Sequence, residues 1–388
     1  MPAPTPELAD IFRQYGPAYR QAHSLPLHQH RLMQAIESCR TPALGGTVEW
    51  CDHCQFTHIR YRSCSNRHCP KCQGAARQRW LLQRQAELLP TSYFHVVFTL
   101  PDPIAAIAFF NKEVVYEILF RATAQTLLSI AADPRRLGID LGFFGVLHSW
   151  GQNLHFHPHL HCVVPGGGLS ADQQRWITGR RRFLLPVRVL SRRFRRLFLT
   201  ALEKAYAAGK LQFFGSLETL RQPQTFTDYL TPLRHRDWVV YAKAPFGGPH
   251  HVIEYLGRYT HRVAISNRRI LALENGRVSF AWKDYRDEGK EKIMTLAAED
   301  FISRFLQHAL PPGFQRIRYY GFLANCHRAR KLALCRQLLA TTISAFLPSP
   351  ADCQAGLAVL VISHPRRCPQ CGNILARIPF LPPHLNSS

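Results

Sequence analysis

Apolar residues crowd into a few short stretches of the chain, and these stretches predict its strands. Tyr93–Leu100 (YFHVVFTL) is aromatic and β-branched almost throughout and is closed by Pro101 and Pro103, the pattern of a buried strand. Gly142–Trp150 (GFFGVLHSW) and His159–Pro165 (HLHCVVP) read the same way. A short polar connection holding further histidines joins them, and Gly166–Gly168 supplies the turn that follows. Asp237–Ala242 (DWVVYA) is another strand candidate. Arg269–Glu274 and Arg277–Tyr285 flank Asn275-Gly276, a hairpin signal because both central residues of the turn need positive φ. Helices are predicted after a short helical lead, from Gly74 to a stop at Pro90, through Ile104–Ala132 as one long buried region, and over His251–Thr260, Ala297–Ala309 and His327–Ala345. Strands separated by helices, with a hairpin, predict an α+β fold with a mostly antiparallel sheet. The chain has no internal repeat and no low-complexity segment.

Length and composition divide this pattern into domains. The 388 residues, 46% of them hydrophobic, exceed one ordinary domain. The expected partition is 1–90 as a cysteine-rich N-terminal module, 91–310 as a central α+β domain and 311–388 as a helical C-terminal region. No run of about 18 apolar residues and no signal pattern is present, which predicts an intracellular, cytoplasmic protein with no membrane partner. Lys and Arg number 49 against 25 Asp and Glu, a net charge of +24 spread along the chain, so the expected partner is a polyanion. Eight arginines between Arg180 and Arg196, with no acid among them, read either as a solvated helix face or as a phosphate contact. Charge names a class of partner and not a reaction.

Six of the twelve cysteines fall between Cys39 and Cys72, a density that points to metal in a reducing compartment. Cys51-x2-Cys54 and Cys69-x2-Cys72, fourteen residues apart, have the spacing of a four-cysteine zinc site, because each tight turn lets two thiolates bite one ion. Cys39, Cys64 and His68 share the segment, so a second ion or a different choice of four ligands is open, as is a role for the spare cysteines as small buried hydrophobes. Such a site is closed and folds its segment. Arg60, Arg62, Arg67, Lys71, Arg77 and Arg79 around it suit DNA recognition. A third pair, Cys368-Pro-Gln-Cys371, has no two evident partners nearby beyond Cys353 or Cys335 and is a weaker signal.

Candidate chemistry lies in histidines and tyrosines. In His155-Phe-His-Pro-His-Leu-His161, residues two apart on a strand share a face, so His159 and His161 put two imidazoles on one side with Leu160 in the core. That is a pair of nitrogen ligands for one divalent ion. His148 on the neighbouring strand is a candidate third ligand, with Gln152 and His155 as rivals. In Glu254-Tyr255-Leu-Gly-Arg-Tyr259-Thr-His261, two tyrosines four apart on a predicted helix would share one face. Such a pair is usually packing. Arg258, His261 and Arg262 beside it would help a phenol act as a nucleophile.

These motifs resemble the HUH endonuclease superfamily, and within it the two-tyrosine transposases of insertion sequences. The resemblance is carried by Ser63-Cys-Ser-Asn-Arg-His-Cys-Pro-Lys-Cys72, by Leu147–Gly168 with its histidines, by Tyr255-Leu-Gly-Arg-Tyr-Thr-His-Arg262, and more weakly by Tyr319–Asn325. It spans about Cys39 to Arg330. Cys326 departs from it, standing where a basic residue is expected. The resemblance implies an N-terminal zinc module and a palm-like antiparallel sheet carrying His159 and His161. It further implies nucleophiles at Tyr255 and Tyr259, a catalytic Mg²⁺ or Mn²⁺ beside structural Zn²⁺, and DNA as partner, single-stranded or at hairpin element ends, with Arg67, Arg258 and Arg262 as candidate contacts. A plasmid replication initiator or relaxase of the same superfamily, and a non-enzymatic zinc-finger regulator, are the competing readings.

Overall fold

The structure, a computed structural model, describes residues 5–179, 185–243, 264–285, 287–344 and 366–382. It is α+β, and its sheets are antiparallel. Two compact units form, one from Arg77–Ala264 with Gln307–Leu347, the other from Met1–Ala76, Ile265–Leu306 and Pro348–Ser388. The expected partition at 90 and 310 runs consecutively along the chain, whereas these units draw on separated segments.

The first unit is organised by a five-stranded sheet. Its strands in chain order are β1 (Tyr93–Thr99), β2 (Gly142–Trp150), β3 (Phe156–Pro165), β4 (Val240–Lys243) and β5 (Ile317–Gly321), arranged β5-β2-β3-β1-β4. Alternation of side chains sorts the sheet into two faces. Phe94, Val96, Phe98, Phe143, Leu147, Leu160, Cys162 and Val164 enter the main core. There they meet α1 (Asp102–Phe110), α2 (Lys112–Ala132), α3 (Val187–Ala207) and α4 (Pro223–His235) through residues such as Ile107, Tyr116, Phe194 and Phe226. Tyr93, Phe144, Val146 and Val163 turn the other way, onto Trp80, Leu81 and Tyr319. The histidines share that second face.

β1 to β4 fall where the sequence predicts strands, but the joint between α1 and α2 was not predicted. The expected single helix from Ile104 to Ala132 is broken at Asn111, whose backbone leaves the helical region at φ −125° and ψ 41°. The Asn111 amide donates to the carbonyls of Ile107 and Gln212 at 2.9 and 2.7 Å and accepts the Gln212 amide at 2.7 Å, so a short polar side chain holds the break. α2 is the one described helix long and apolar enough to cross a membrane, and its apolar residues are spent in the core. The part of the basic stretch from Arg188 to Arg196 lies in the start of α3, which buries Leu190, Phe194, Phe198 and Leu202 on one stripe and leaves arginines on the other, while Arg180, Arg181 and Arg182 lie outside the described residues. β5 and α4 were not anticipated.

In the second unit, helices Leu8–Ala22 and Leu27–Glu37 lie with helix Ala298–Leu306, where Phe12 meets Phe305 edge to face. The hairpin Ile270–Glu274 with Arg277–Asp284 forms as expected, with Asn275 and Gly276 at φ 49° and 72°, and Lys290–Ala297 adds an unexpected third strand. A separate small sheet is built by Gly46–Trp50, flanked by Thr57–Tyr61 and by Ala376–Phe380 from the far end of the chain. That return of the C-terminus decides the metal chemistry of this unit.

Candidate metal centres

Eight of the eleven described cysteines gather into two groups of four, and the grouping corrects the simplest reading of the sequence. Cys51 and Cys54 do not share a site with Cys69 and Cys72. Cys39, Cys64, Cys69 and Cys72 form one cluster, and Cys51, Cys54, Cys368 and Cys371 the other, each with its sulfurs within 4.8 Å of one another. Sulfur separations of 3.6 Å for Cys39–Cys72, 3.5 Å for Cys64–Cys72, and 3.4 Å for both Cys51–Cys371 and Cys54–Cys368 approach a tetrahedral edge of about 3.8 Å around an ion with Zn–S bonds of about 2.3 Å.

Local backbone explains each pairing. The turns Cys51-Asp-His-Cys54-Gln55 and Cys368-Pro-Gln-Cys371-Gly372 are built alike. The amide of each first cysteine donates to the carbonyl five residues on, Phe56 or Asn373, and the residue after each second cysteine takes positive φ, 59° at Gln55 and 78° at Gly372. Two such knuckles facing each other at the end of a small sheet are the arrangement of a zinc ribbon. In the other cluster Cys39 follows the helix Leu27–Glu37, while Cys69 and Cys72 straddle the start of the helix Pro70–Gln85, where Pro70 suits the first turn. Four sulfurs complete this cluster and leave no position for His68, which is buried beside it and whose amide donates to Asn66 Oδ1 at 2.9 Å. Arg67 is half-buried in the same turn.

In the cluster of Cys39, Cys64, Cys69 and Cys72, close packing works against ionisation of two of the thiols in the absence of a cation. Burial pushes the Cys39 thiol up to about 11, and the Cys64 sulfur against Cys69 raises that thiol too. A divalent ion among the sulfurs reverses this by binding the thiolates, so the donor set fits zinc.

The third cluster is His148, His159 and His161, with ligating nitrogens within 4.8 Å of one another. Strand register produces it. His148 on β2 lies directly opposite His159 on β3, and His161 follows two residues on along the same face. Gln152 and His155, the rivals for the third position, are not in the cluster. His148 and His161 are buried and His159 half-buried. Burial pushes the His159 imidazole down to about 4, so it stands neutral, the form that binds metal. Its Nδ1 donates to the His157 carbonyl at 2.6 Å, which leaves Nε2 as its ligating atom.

Two histidines that the sequence did not single out support the triad. His95 on β1, buried, places Nε2 2.8 Å from Nδ1 of His161 with the rings stacked at 8°, which commits Nδ1 of His161 and turns its Nε2 to the ligating role. The only signal for His95 in the sequence is its odd position in the strand Tyr93–Thr99, on the face opposite Phe94 and Val96. His308, also buried, accepts the Ser149 hydroxyl on Nδ1 at 3.2 Å and donates Nε2–H to the Leu154 carbonyl at 3.1 Å, tying the β2–β3 connection down. Trp150 stacks on His148 with ring centres 4.6 Å apart. Tyr319 is held by Arg84, whose Nη1 donates to its hydroxyl at 3.0 Å, and by the Arg328 guanidinium 4.7 Å over its ring, while Cys326 is exposed beside His327. Tyr255, Tyr259, Arg258, His261 and Arg262 lie outside the described residues.

Comparison with known proteins bears on both kinds of site. Residues 11–100 match the IS91-type "Transposase zinc-binding domain", and residues 142–331 match a family described as "Putative transposase". The chain is 60% identical over 351 residues, 90% of its length and 87% of the relative's, to "Putative transposase y4qJ" of Sinorhizobium fredii (strain NBRC 101917 / NGR234). It is 30% identical over 357 residues, 86% of its length and 80% of the relative's, to "Transposase for insertion sequence element IS801" of Pseudomonas savastanoi pv. phaseolicola. The chain belongs to the IS91/IS801 family of transposases. No solved structure matches it. In this transposase the histidine triad falls in the second matched segment and the cluster Cys39–Cys72 in the first, while Cys368 and Cys371 lie beyond both. The zinc-binding part of the transposase therefore borrows half of one tetracysteine set from outside its own segment.

Proposed function

We propose that this transposase cuts and rejoins single-stranded DNA through a 5′-phosphotyrosine, in rolling-circle transposition at the ends of its element. The observation that carries the reading is the convergence of His148, His159 and His161 on one face of the five-stranded sheet, three imidazole nitrogens in a strongly basic transposase. The three ligands that the described residues supply, unlike the four of each cysteine cluster, leave coordination positions for a phosphate oxygen. When bound there, a divalent ion polarises the scissile phosphate and offsets the charge that builds on it during attack. An all-imidazole set suits Mn²⁺ better than Mg²⁺, which dehydrates reluctantly and takes oxygen ligands.

Tyr255 or Tyr259 supplies the nucleophile. Its oxygen bonds to phosphorus, the bond from phosphorus to the 3′-oxygen breaks, and that oxygen leaves as a 3′-hydroxyl with a proton gained. The phosphodiester energy stays in the phosphotyrosine bond, so a 3′-hydroxyl attacks in reverse and rejoins the strand without a nucleotide cofactor. Two tyrosines allow a second cut while the first end is still held. Arg258 lies between them in sequence and Arg262 follows, and Arg67 adjoins the Cys69–Cys72 turn, where backbone phosphates would meet guanidinium groups. The chemistry belongs to the cytoplasm, at the nucleoid.

The test is a covalent adduct. With Mn²⁺, a 3′-labelled single strand spanning the junction of element and flanking DNA should give a conjugate that survives denaturation, and a 5′-labelled strand only a shortened free product. Tyr255→Phe combined with Tyr259→Phe should remove the conjugate; full activity in that double variant would take both tyrosines out of the mechanism.

A further inference from the structure

We propose that the transposase grips a second DNA segment, a duplex, in an arginine cleft between α3 and α4, on the side of the sheet away from the histidines. The cleft, about 480 Å³, is lined by Arg192, Arg193, Arg195 and Arg196 of α3, Arg234 of α4, and Thr200. Two carboxylates offset part of this charge. Asp237 lies 3.7 Å from both Arg192 and Arg195, and Glu203 pairs with Arg234. Five guanidinium groups less two carboxylates leave a surplus of three positive charges in one cleft. Nε of Arg193 is buried and makes no hydrogen bond, a donor for which the described residues offer no acceptor.

Position separates this cleft from the site of cutting. α3 buries Leu190, Phe194, Phe198 and Leu202 against the sheet face that carries Phe98 and Leu160, and the histidines alternate to the opposite face. The sheet and a helix layer therefore stand between the arginines and His148, His159 and His161. Guanidinium forks match phosphate oxygens, and among the described residues the remaining lining, Val189 and Leu199, includes no aromatic ring on which an unpaired base could stack. The cleft therefore suits the backbone of duplex DNA. Its purpose rests on the strand-transfer reading, since joining an element to a new location requires donor and target to be held at once. Its existence as a duplex site rests on the cleft alone.

The experiment compares Arg193→Gln combined with Arg196→Gln against the unaltered protein, reading the anisotropy of a short fluorescent duplex and of a fluorescent single strand over a range of salt. Duplex affinity should fall by about tenfold more than single-strand affinity, and the slope of log K against log salt for the duplex should become shallower by about two. Arg234→Gln, on the facing helix, should act in the same direction with about half the change in slope. Unchanged duplex affinity and slope in the double variant would overturn the proposal, and so would equal losses for duplex and single strand, which would mean one continuous strand path. Failure of the unaltered protein to form a covalent conjugate would sink the strand-transfer reading and leave the duplex result standing.

Discussion

Each cysteine cluster is closed by four sulfurs, whereas the histidine cluster holds three nitrogens among the described residues, on the face of a sheet. The cysteines come from turns and helix ends, elements that have no fixed geometry until an ion ties them together. The histidines come from two paired strands whose register places them before any ion arrives. The difference separates a site that makes its fold from a site that a fold makes. Loss of metal should therefore unfold the first and merely silence the second.

The largest effect expected is on the ribbon. Cys368→Ser combined with Cys371→Ser should cost one of the two zinc equivalents that the two cysteine clusters predict, measured by elemental analysis, together with protease resistance of the strand Ala376–Phe380. Retention of two zinc ions in that variant would break the pairing of Cys51 and Cys54 with the C-terminal knuckle. Next comes His159→Ala with His161→Ala, which should lower cleavage on the order of a thousandfold or more while the melting transition and zinc content hold. Unfolding of that variant would erase the contrast between the two kinds of site.

Smaller effects sharpen the role of the supporting histidines. His95→Phe keeps the ring stack on His161 and removes its hydrogen bond, so Mn²⁺ affinity, read by calorimetry, should weaken by about 10–100-fold. An unchanged affinity would make His95 packing only. His308 is pushed down to about 3 by burial, aided by the Lys112 charge, so between about pH 6.5 and pH 3 the unfolded chain binds a proton that the native chain refuses. Stability from this group is full above pH 6.5 and should fall by about 1.4 kcal/mol per pH unit below it. His308→Gln should flatten that acid limb in a denaturant titration.

Much of this was legible in the residues themselves. The apolar runs YFHVVFTL and GFFGVLHSW located β1 and β2, Asn275-Gly276 located a hairpin, and the motif from His155 to His161 located the pair that His148 joins, because strand periodicity ties the spacing of those histidines directly to a face. The break at Asn111 was invisible because it depends on Gln212, a residue 101 positions away. His95 went unnoticed for a similar reason, since the strand pairing that carries it to His161 spans 66 positions.

What the chain determines by itself, then, is local: which stretches are strands and helices, which residues can bind metal, and what charge a partner must carry. Which cysteines share an ion was decided by tertiary structure. Spacing fixes only the two sulfurs within one turn, and the choice of the second turn depends on a strand from the far end of the chain pairing beside Gly46–Trp50. Long-range pairing of this kind is selected by the packing of whole elements, and no local pattern encodes it.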